Sequence, residues 1–281
     1  MTATFDNPRI GTIANLELSA VMRGRSFPIE RLDDVMEGGL PWVPTNSCLS
    51  SVNTIPPDNP FGPMGETKIV AAPETRMVLP AREDRPAMAV YLCDILHHDR
   101  TFWEGCTRGQ LKRAIADLER EHGLTLKVGF EHECYVSGLE DAYSPAFSLA
   151  GARKISGLAS EVHLILGTAN TRLEQFVAEF GENQFEIAAP IRDSLGAADH
   201  AVLSREAIRD AARGRGAHAT FAPKPDLSHA GSGVHIHFSL WDGDGRPVTA
   251  ANGGCTATSG AFAAGILEHL EAVMAFSTPT P

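Results

Sequence analysis

The sequence predicts a mixed fold of helices and strands in two parts, a small β-rich domain over residues 1–103 and an α/β-type domain over residues 104–281. Short β-type runs separated by prolines predict the first part, and helices interleaved with strands predict the second. A chain of 281 residues, 43% of them hydrophobic, is long enough to bury a substantial core. We therefore expect a folded protein rather than a disordered chain.

The charge balance and the apolar pattern argue against nucleic-acid and membrane partners. The chain has 24 basic and 35 acidic side chains, and its net charge of −11 argues against a general surface for nucleic acid or anionic membranes. Its longest apolar run, residues 87–93, is far shorter than the ~18 residues that a membrane-spanning helix needs. The N-terminal residues lack the regions of a signal peptide, and the five cysteines, with no C-x-x-C pair, are expected to be reduced. We expect a cytoplasmic protein with no membrane or nucleic-acid partner.

Individual elements follow from local patterns. The predicted strands lie at residues 13–22, 68–72, 87–92 and 124–136, near Phe185 and near Val234. Apolar residues at three- and four-residue spacing predict helices at residues 107–122, 199–215 and 258–276. Residues 41–65 are rich in Pro, Ser and Asn and are expected to form a loop.

The segment LTLKVGFEHECYV carries the first candidate site. Alternation along the strand places Leu126, Val128 and Cys134 on an apolar face, and Glu131 and Glu133 on the opposite face. Two carboxylates on one strand face repel each other unless a positive group lies between them. A Glu-x-Glu pair by itself is more often a solvated strand edge than a site, so further segments decide its meaning.

The segment GSGVHIHFSLW repeats this pattern with imidazoles. Its apolar residues alternate with His235, His237 and Ser239, which share one face. Isolated histidines in strands are more often structural than ligating. Two that alternate beside a Gly-Ser-Gly turn favour a ligand, because the glycines allow the backbone to approach it closely.

A third segment, LEQFVAEFGENQFEI, places Glu174, Glu179 and Glu186 around a glycine turn, with Gln184 on the same strand face as Glu186. Glu182 lies at the turn and is expected to be solvated. Carboxylate oxygens combined with one imidazole suit Mg²⁺ or Mn²⁺ better than a thiolate zinc site would. Two such ions commonly hold the phosphates of a nucleotide. The chain has neither a P-loop nor a G-x-S-x-G motif.

Four segments resemble, in their order along the chain, the signature motifs of the glutamine synthetase family: GFEHECYV, EFGENQFEI, HATFAPKP and GSGVHIHFSLW. Two earlier segments, MRGRSFP and VAAPETRMVLPA, resemble its N-terminal domain. The motifs are closer to the γ-glutamyl–amine ligases of glutamine synthetase type, and to the type III or GlnT-like enzymes, than to the main assimilatory enzyme.

The resemblance implies a fold and an activity. The fold would be α+β, with an N-terminal β-grasp domain followed by a catalytic domain of antiparallel strands flanked by helices. The activity would be the ATP-dependent ligation of ammonia or an amine to the γ-carboxylate of glutamate through γ-glutamyl phosphate. ATP would be a co-substrate, two Mg²⁺ or Mn²⁺ ions would be cofactors, and the protein would be a homo-oligomer.

The resemblance also implies roles for particular residues. The implied metal ligands are Glu133, Glu179 and Glu186 for the first ion, and Glu131 and His235 for the second. The implied contacts to nucleotide and phosphate are Glu174, His237 and Ser239. Gly231 would lie in the turn that meets glutamate, whereas Lys224 is expected to be structural or a charge at the rim. No residue is assigned as catalytic.

The sequence departs from the family pattern at four places, one of them the glycine turn, which reads Gly181-Glu182-Asn183-Gln184 where the family usually has Gly-Pro-Gly-Gln or Ala-Gly-Gln. Ala230 stands where the family has an asparagine that helps to position glutamate, and NSCLSSVNTIPPDNP replaces the segment with an ammonium-binding aspartate. The chain ends at FSTPTP, so we expect the C-terminal part of the catalytic domain, with its phosphate- and glutamate-binding arginines, to be missing. The alternative is therefore a truncated non-catalytic relative, either a remnant or a metal- and nucleotide-binding regulatory subunit. A guanidino-type phosphotransferase is a weaker third reading.

Overall fold

The structure, a computed structural model, describes residues 4–5, 7–62, 65–139 and 144–277. Within these ranges it contains two six-stranded sheets and one two-stranded sheet together with α-helices, which confirms the predicted α+β class. Among the described residues, no helix combines the length and apolar character that crossing a bilayer requires.

The first sheet lies in the N-terminal part of the chain. Its strands are β1 (Ile10–Leu16), β2 (Met22–Pro28), β3 (Leu40–Trp42), β4 (Thr67–Ala71), β5 (Met77–Leu79) and β6 (Met88–Leu96). The order is β2-β1-β6-β4-β3, and β5 also pairs with β6. The central strands β1 and β6 are parallel, and helix α1 (Leu32–Gly38) packs near β4. This arrangement is the one expected of a β-grasp domain.

The strand predicted at residues 13–22 is wrong, because a turn interrupts it. The segment contains the end of β1, a turn and the first residue of β2. The buried Glu17 carboxylate accepts hydrogen bonds from the backbone of Ser19 and Val21, and Ala20 has a φ of +59°. Side-chain bonds of this kind replace the ladder bonds of a continuous strand.

The other two strands predicted in the N-terminal part are present, whereas the predicted loop also contains regular structure. The strand predicted at 68–72 corresponds to β4, shifted by one residue, and the one at 87–92 overlaps the longer β6 from residue 88 onward. The predicted loop at 41–65 also contains the end of β3 and a 3₁₀ turn at Pro44–Cys48, and its residues 63–64 lie outside the described residues. Neither β2 nor α1 was predicted.

The second sheet is antiparallel and is built around one long strand. The strands of this part are β7 (Leu124–Ser137), β8 (Gln175–Ala178), β9 (Gln184–Ala188), β10 (Arg192–Asp193), β11 (His218–Thr220), β12 (Val234–Asp242), β13 (Ala250–Ala251) and β14 (Gly254–Cys255). β9 and β10 pair with one edge of β7, and β11 and β12 pair with the other; β8 lies outside β9. The strands β13 and β14 form a separate pair.

The helices that the described residues form in this part of the chain are α2 (Thr107–His122), α3 (Leu149–Gly167), α4 (Ser194–Arg213), α5 (Ala257–Glu268) and α6 (Leu270–Ser277). The prediction of α2 is confirmed, including its stop at Gly123, which has a φ of +62°. α4 begins five residues earlier than predicted because Asp193 caps it by accepting a hydrogen bond from the Gly196 amide. The single helix predicted at 258–276 is divided at His269. α3 was not predicted, and its internal glycines weaken the local helical preference.

The main core lies between the second sheet and the helices α3 and α4. Cys134 and Phe185 from the sheet pack with Ile155 and Ile208 from these helices, and Met77 of the first sheet joins the same cluster. The two sheets are therefore connected through a shared core as well as through the chain.

The apolar face predicted for β12 is largely uncovered. Val234 and Ile236 are 51% and 57% exposed, although Leu240 at the other end of the strand is buried. In the described part of the chain, β7 is the one named strand that pairs with β12, and α4 packs against β7. Helix α5 reaches the strand at Phe238, whose ring centroid lies 5.3 Å from that of Phe262.

Candidate metal and nucleotide site

One face of the second sheet is polar, and strand pairing assembles it. The odd-numbered residues of β7 share this face, where Glu131 lies opposite His235 of β12 and Glu133 lies opposite Glu186 of β9. Cys134 points to the other face and is buried among the helices. The alternation predicted for β7 is confirmed, and the pairing brings carboxylates from two strands together with an imidazole from a third.

Three of the predicted metal ligands converge. Glu131, Glu186 and His235 each offer a ligand atom, and these three atoms lie within 4.8 Å of one another. Glu131 Oε2 also lies 3.3 Å from Nδ1 of His235 and 3.1 Å from Nε2 of His237. Two carboxylates and an imidazole form a donor set that fits Mg²⁺ or Mn²⁺.

Glu133 and Glu179 interact with this group without being part of it. The Glu133 carboxylate accepts a hydrogen bond of 2.8 Å from Nε2 of Gln184, which turns one of its oxygens toward that amide. Burial raises the pKa of Glu179, and the charge of Glu133 raises it further. Glu186, expected to share an ion with Glu133 and Glu179, also offers a ligand atom close to those of Glu131 and His235.

The electrostatics of these carboxylates favour a cation. Burial raises the pKa of Glu186, and the charges of Glu131, Glu179 and Glu133 act in the same direction. The pKa of Glu131 is held below its usual value, chiefly by the hydrogen bond with His237. Carboxylates that repel one another in a partly buried site are stabilised by a divalent ion that neutralises them.

A cavity of about 230 Å³ lies beside Glu131, and Glu174 and His237 are among the residues that line it. Gly129 also lines it, opposite His237 in the strand register. A Cβ atom at Gly129 would lie 3.3 Å from Ile191, so the glycine leaves room in the cavity wall. The structure therefore brings together Glu174 and His237, both predicted from the resemblance to contact the nucleotide.

Ser239, the third predicted nucleotide contact, does not line this cavity. Its Oγ accepts a hydrogen bond of 2.9 Å from Nε1 of Trp241. Lys127, directly opposite Ser239 in β7, places its ammonium 3.5 Å from the centroid of the Trp241 ring. Ser239 and Lys127 thus lie on the polar face but farther along the sheet.

The loop that contains Gly231 is tied to the same sheet. The Gly231 carbonyl accepts a hydrogen bond of 2.8 Å from Gln184, and the Ser232 amide donates to the Pro223 carbonyl. Lys224 Nζ donates to the His229 carbonyl at 2.5 Å, a contact within the loop itself.

Three residues of the polar face were not predicted from the sequence. Lys127 and Tyr135 occupy odd positions in β7, and Gln184, although placed beside Glu186, received no role. The signal that could have found them is the same two-residue period that identified Glu131 and Glu133.

Comparison with known families covers almost the whole chain. Residues 6–103 match the glutamine synthetase N-terminal domain, and residues 104–281 match the glutamine synthetase catalytic domain. The γ-glutamylpolyamine synthetase GlnA3 of Streptomyces coelicolor is 28% identical over 96% of this chain and 59% of its own length. A glutamine synthetase of Thermococcus kodakarensis is also 28% identical, over 97% of this chain and 60% of its own length. The chain thus spans about three fifths of the length of these relatives.

Solved structures show the same similarity. A crystal structure described as a novel glutamine synthase homolog aligns with a TM-score of 0.90 and 31% identity, over 100% of this chain and 67% of the other. A GmaS/ADP complex aligns with a TM-score of 0.81 over 97% of this chain and 63% of the other, and at 22% identity it supports the fold alone. With both parts of the chain matched, this protein belongs to the glutamine synthetase family.

Proposed function

We propose that this chain carries the metal and nucleotide side of an ATP-dependent ligase that joins ammonia or an amine to the γ-carboxylate of glutamate. The observation that carries the proposal is the convergence of Glu131, Glu186 and His235 beside a cavity lined by Glu174 and His237. The family membership and the γ-glutamylpolyamine synthetase named among the relatives support the same reaction class.

The proposed chemistry proceeds in two steps. The γ-carboxylate of glutamate attacks the terminal phosphorus of ATP, and ADP leaves. This phosphorylation is needed because a free carboxylate oxygen is a poor leaving group in the second step. The amine nitrogen then attacks the acyl carbon of γ-glutamyl phosphate; the C–N bond forms, the bond to phosphate breaks and the nitrogen loses a proton. Mg²⁺ or Mn²⁺, when bound, supplies the positive charge that phosphoryl transfer requires.

The proposal assigns each predicted residue a task. Two ions would be held by Glu133, Glu179, Glu186, Glu131 and His235. Glu174 and His237 would orient the nucleotide, Ser239 would contact its phosphates and Gly231 would meet glutamate. We also propose that residues 1–103 and 104–281 form separate domains, that the protein is a homo-oligomer and that it is cytoplasmic.

The direct test is ADP release by the full chain with glutamate, Mg²⁺-ATP and a panel of ammonia, monoamines and polyamines. We expect ADP to be formed only when both glutamate and one of the amines are present. No glutamate-dependent ADP with any amine in the panel would contradict the ligase proposal for this chain.

A second candidate is a relative that binds metal and nucleotide without turnover. It is favoured by one observation: the described residues that line the cavity beside Glu131 include neither lysine nor arginine. Phosphoryl transfer usually needs such cations in addition to metal ions. Calorimetric titration with Mn²⁺ and ATP separates the candidates, because binding without ADP release supports the second.

The homo-oligomer is supported by apolar side chains on the surface of the N-terminal part. Leu18, Val52 and Ile55 are all more than half exposed. Exposed apolar side chains of this kind are typical of surfaces that associate when they form a patch. Sedimentation velocity at several concentrations tests the proposal, and a monomer throughout would contradict it.

A further inference from the structure

The side-chain amide of Gln184 connects three parts of the candidate site. Gln184 is 2% exposed, and its Nε2 donates hydrogen bonds of 2.8 Å both to Glu133 Oε2 and to the Gly231 carbonyl. Its Oε1 accepts a hydrogen bond of 2.9 Å from the Gly181 amide. The amide therefore uses both of its donors and its acceptor, and a change in one bond alters the others.

Tyr135 forms a second connection between the sheet and the same loop. Its hydroxyl donates to the Ala230 carbonyl at 2.9 Å and lies 3.4 Å from Oε1 of Gln184. Its ring also stacks on that of His229, with centroids 5.9 Å apart. Two consecutive carbonyls of the loop, those of Ala230 and Gly231, are thus held by neighbouring side chains of the sheet.

Close packing leaves this network little freedom. A Cβ atom at Gly181 would lie 2.1 Å from Oη of Tyr135, so no larger residue fits there without displacing the hydroxyl. At the far end of the loop, the Glu133 amide donates to the Gly233 carbonyl at 3.1 Å. Glu133 therefore contacts the loop through its own backbone as well as through Gln184.

We propose that Gln184 is a positioning residue that couples cation binding at the Glu133 carboxylate to the conformation of the loop at residues 230–233. An ion that fixes this carboxylate also fixes the amide bonded to it, and the same amide holds the Gly231 carbonyl. Coupling of this kind is reciprocal, so a ligand that orders the loop strengthens ion binding by the same factor. The proposal rests on the proposed function for the ion at Glu133 and for the identity of that ligand, which would be glutamate.

The test is hydrogen exchange of the full chain with and without Mn²⁺, read by mass spectrometry over the loop. In the unmodified protein we expect Mn²⁺ to slow amide exchange at residues 230–233 by about threefold or more. Gln184→Met keeps the length of the side chain but removes its amide, and should bind Mn²⁺ without slowing the loop. Gln110→Met, at an exposed position of α2, is the matched control and should behave as the unmodified protein does.

Tyr135→Phe keeps the test decisive if Gln184→Met does not fold, because it removes only one hydroxyl. It should bind Mn²⁺ normally and lose part of the slowing. Metal-dependent slowing that persists in full in every folded variant would overturn the coupling, as would its absence in an unmodified protein that binds Mn²⁺. No Mn²⁺ binding by the unmodified protein would overturn both the metal site and the coupling.

The exchange measurement needs no turnover, so the two proposals fail separately. Loop slowing without ADP release would leave the coupling intact and remove the ligase, whereas ADP release without loop slowing would do the reverse.

Discussion

Glu186 of the polar face shows that a side chain can favour cation binding and at the same time lower the stability of the fold. Its carboxylate is partly buried beside Glu131, Glu133 and Glu179, and its pKa is raised by burial and by their charges. A raised carboxyl pKa means that the ionised group destabilises the folded state at neutral pH. The arrangement lowers stability and provides a charge that a cation can use.

Glu186→Gln should therefore have two opposite effects. Mn²⁺ affinity should fall by about tenfold or more, since a charged ligand is lost. The metal-free protein should become slightly more stable at neutral pH, because repulsion is relieved. Calorimetry with Mn²⁺ and urea unfolding in EDTA measure the two effects. Glu182→Gln, at the exposed turn in the same segment, is the control, and an equal loss of affinity there would argue against a ligand role for Glu186.

His200 is buried in α4 and does not line the cavity beside Glu131. Burial lowers the pKa of His200 to about 4 from a usual value of 6.5. The imidazole is thus neutral when folded, so its contribution to stability is present above pH 6.5 and is lost as the pH falls toward 4. The loss is about 3 kcal/mol for a shift of this size.

His200→Gln should reduce the pH dependence of the unfolding free energy between pH 6.5 and 4. Part of the dependence should remain, because burial also lowers the pKa of His132 to about 4. Urea denaturation at a series of pH values measures it, with His122→Gln, an exposed histidine on α2, as the control for the change of side chain. An unchanged slope in His200→Gln would contradict the assignment.

At the scale of elements, the hairpin of β1 and β2 shows where local pattern is insufficient. Gly24 of β2 lies opposite Ala14 of β1, and a Cβ atom at Gly24 would lie 2.0 Å from the Ile13 carbonyl oxygen. That neighbour is backbone and cannot rotate away. The glycine therefore allows the two strands to approach as closely as they do.

Gly24→Ala should lower the free energy of unfolding by about 2 kcal/mol, as overpacking of a close contact does. Gly38→Ala at the end of α1, where nothing lies within 4 Å of the new Cβ atom, should leave stability unchanged or raise it slightly. Urea unfolding of the two variants compares them, and equal midpoints would show that the hairpin is looser than the structure indicates.

At the scale of the molecule, buried ion pairs connect the first sheet region to the helices of the second. Arg82 donates to Glu161 of α3 at 2.8 Å and to the Asp210 carboxylate of α4 at 2.6 Å. Both carboxylates belong to buried residues. Removing the arginine would leave both carboxylates poorly solvated and without one of their partners. The free-energy cost of such a buried, unpaired charge exceeds the net stabilisation that the ion pair provides.

Arg82→Met should destabilise the whole protein by about 3 kcal/mol and lower its melting temperature. Arg85→Met is the matched control, since Arg85 pairs with Asp84 at an exposed position and such pairs contribute little. Calorimetry measures both, and similar melting temperatures would show that the ion pairs do not connect the two parts.

Elements with a local pattern could be predicted from the residues alone. Alternation along β7 placed Glu131 and Glu133 on one face, helical spacing and a stopping glycine defined α2, and ordered motifs indicated the family. Where local patterns competed with specific contacts, as in the Glu17 turn and the glycine-containing α3, sequence reasoning failed. Each failure has the same source, because the deciding contact or packing partner is not part of the pattern.

Which residues lie next to one another in the site depends on how the strands pair. Glu131 and His235 are 104 residues apart along the chain, and they are neighbours because β12 pairs with β7 in one particular register. A shift of one residue in that register would turn His235 to the opposite face. The pairing of β9 with β7 places Gln184 beside Glu133, and its amide also bonds the Gly231 carbonyl, contacts that no local pattern contains. The chemistry of each side chain can be read from the sequence. The distances between the side chains depend on strand register, which is set by packing across the whole fold.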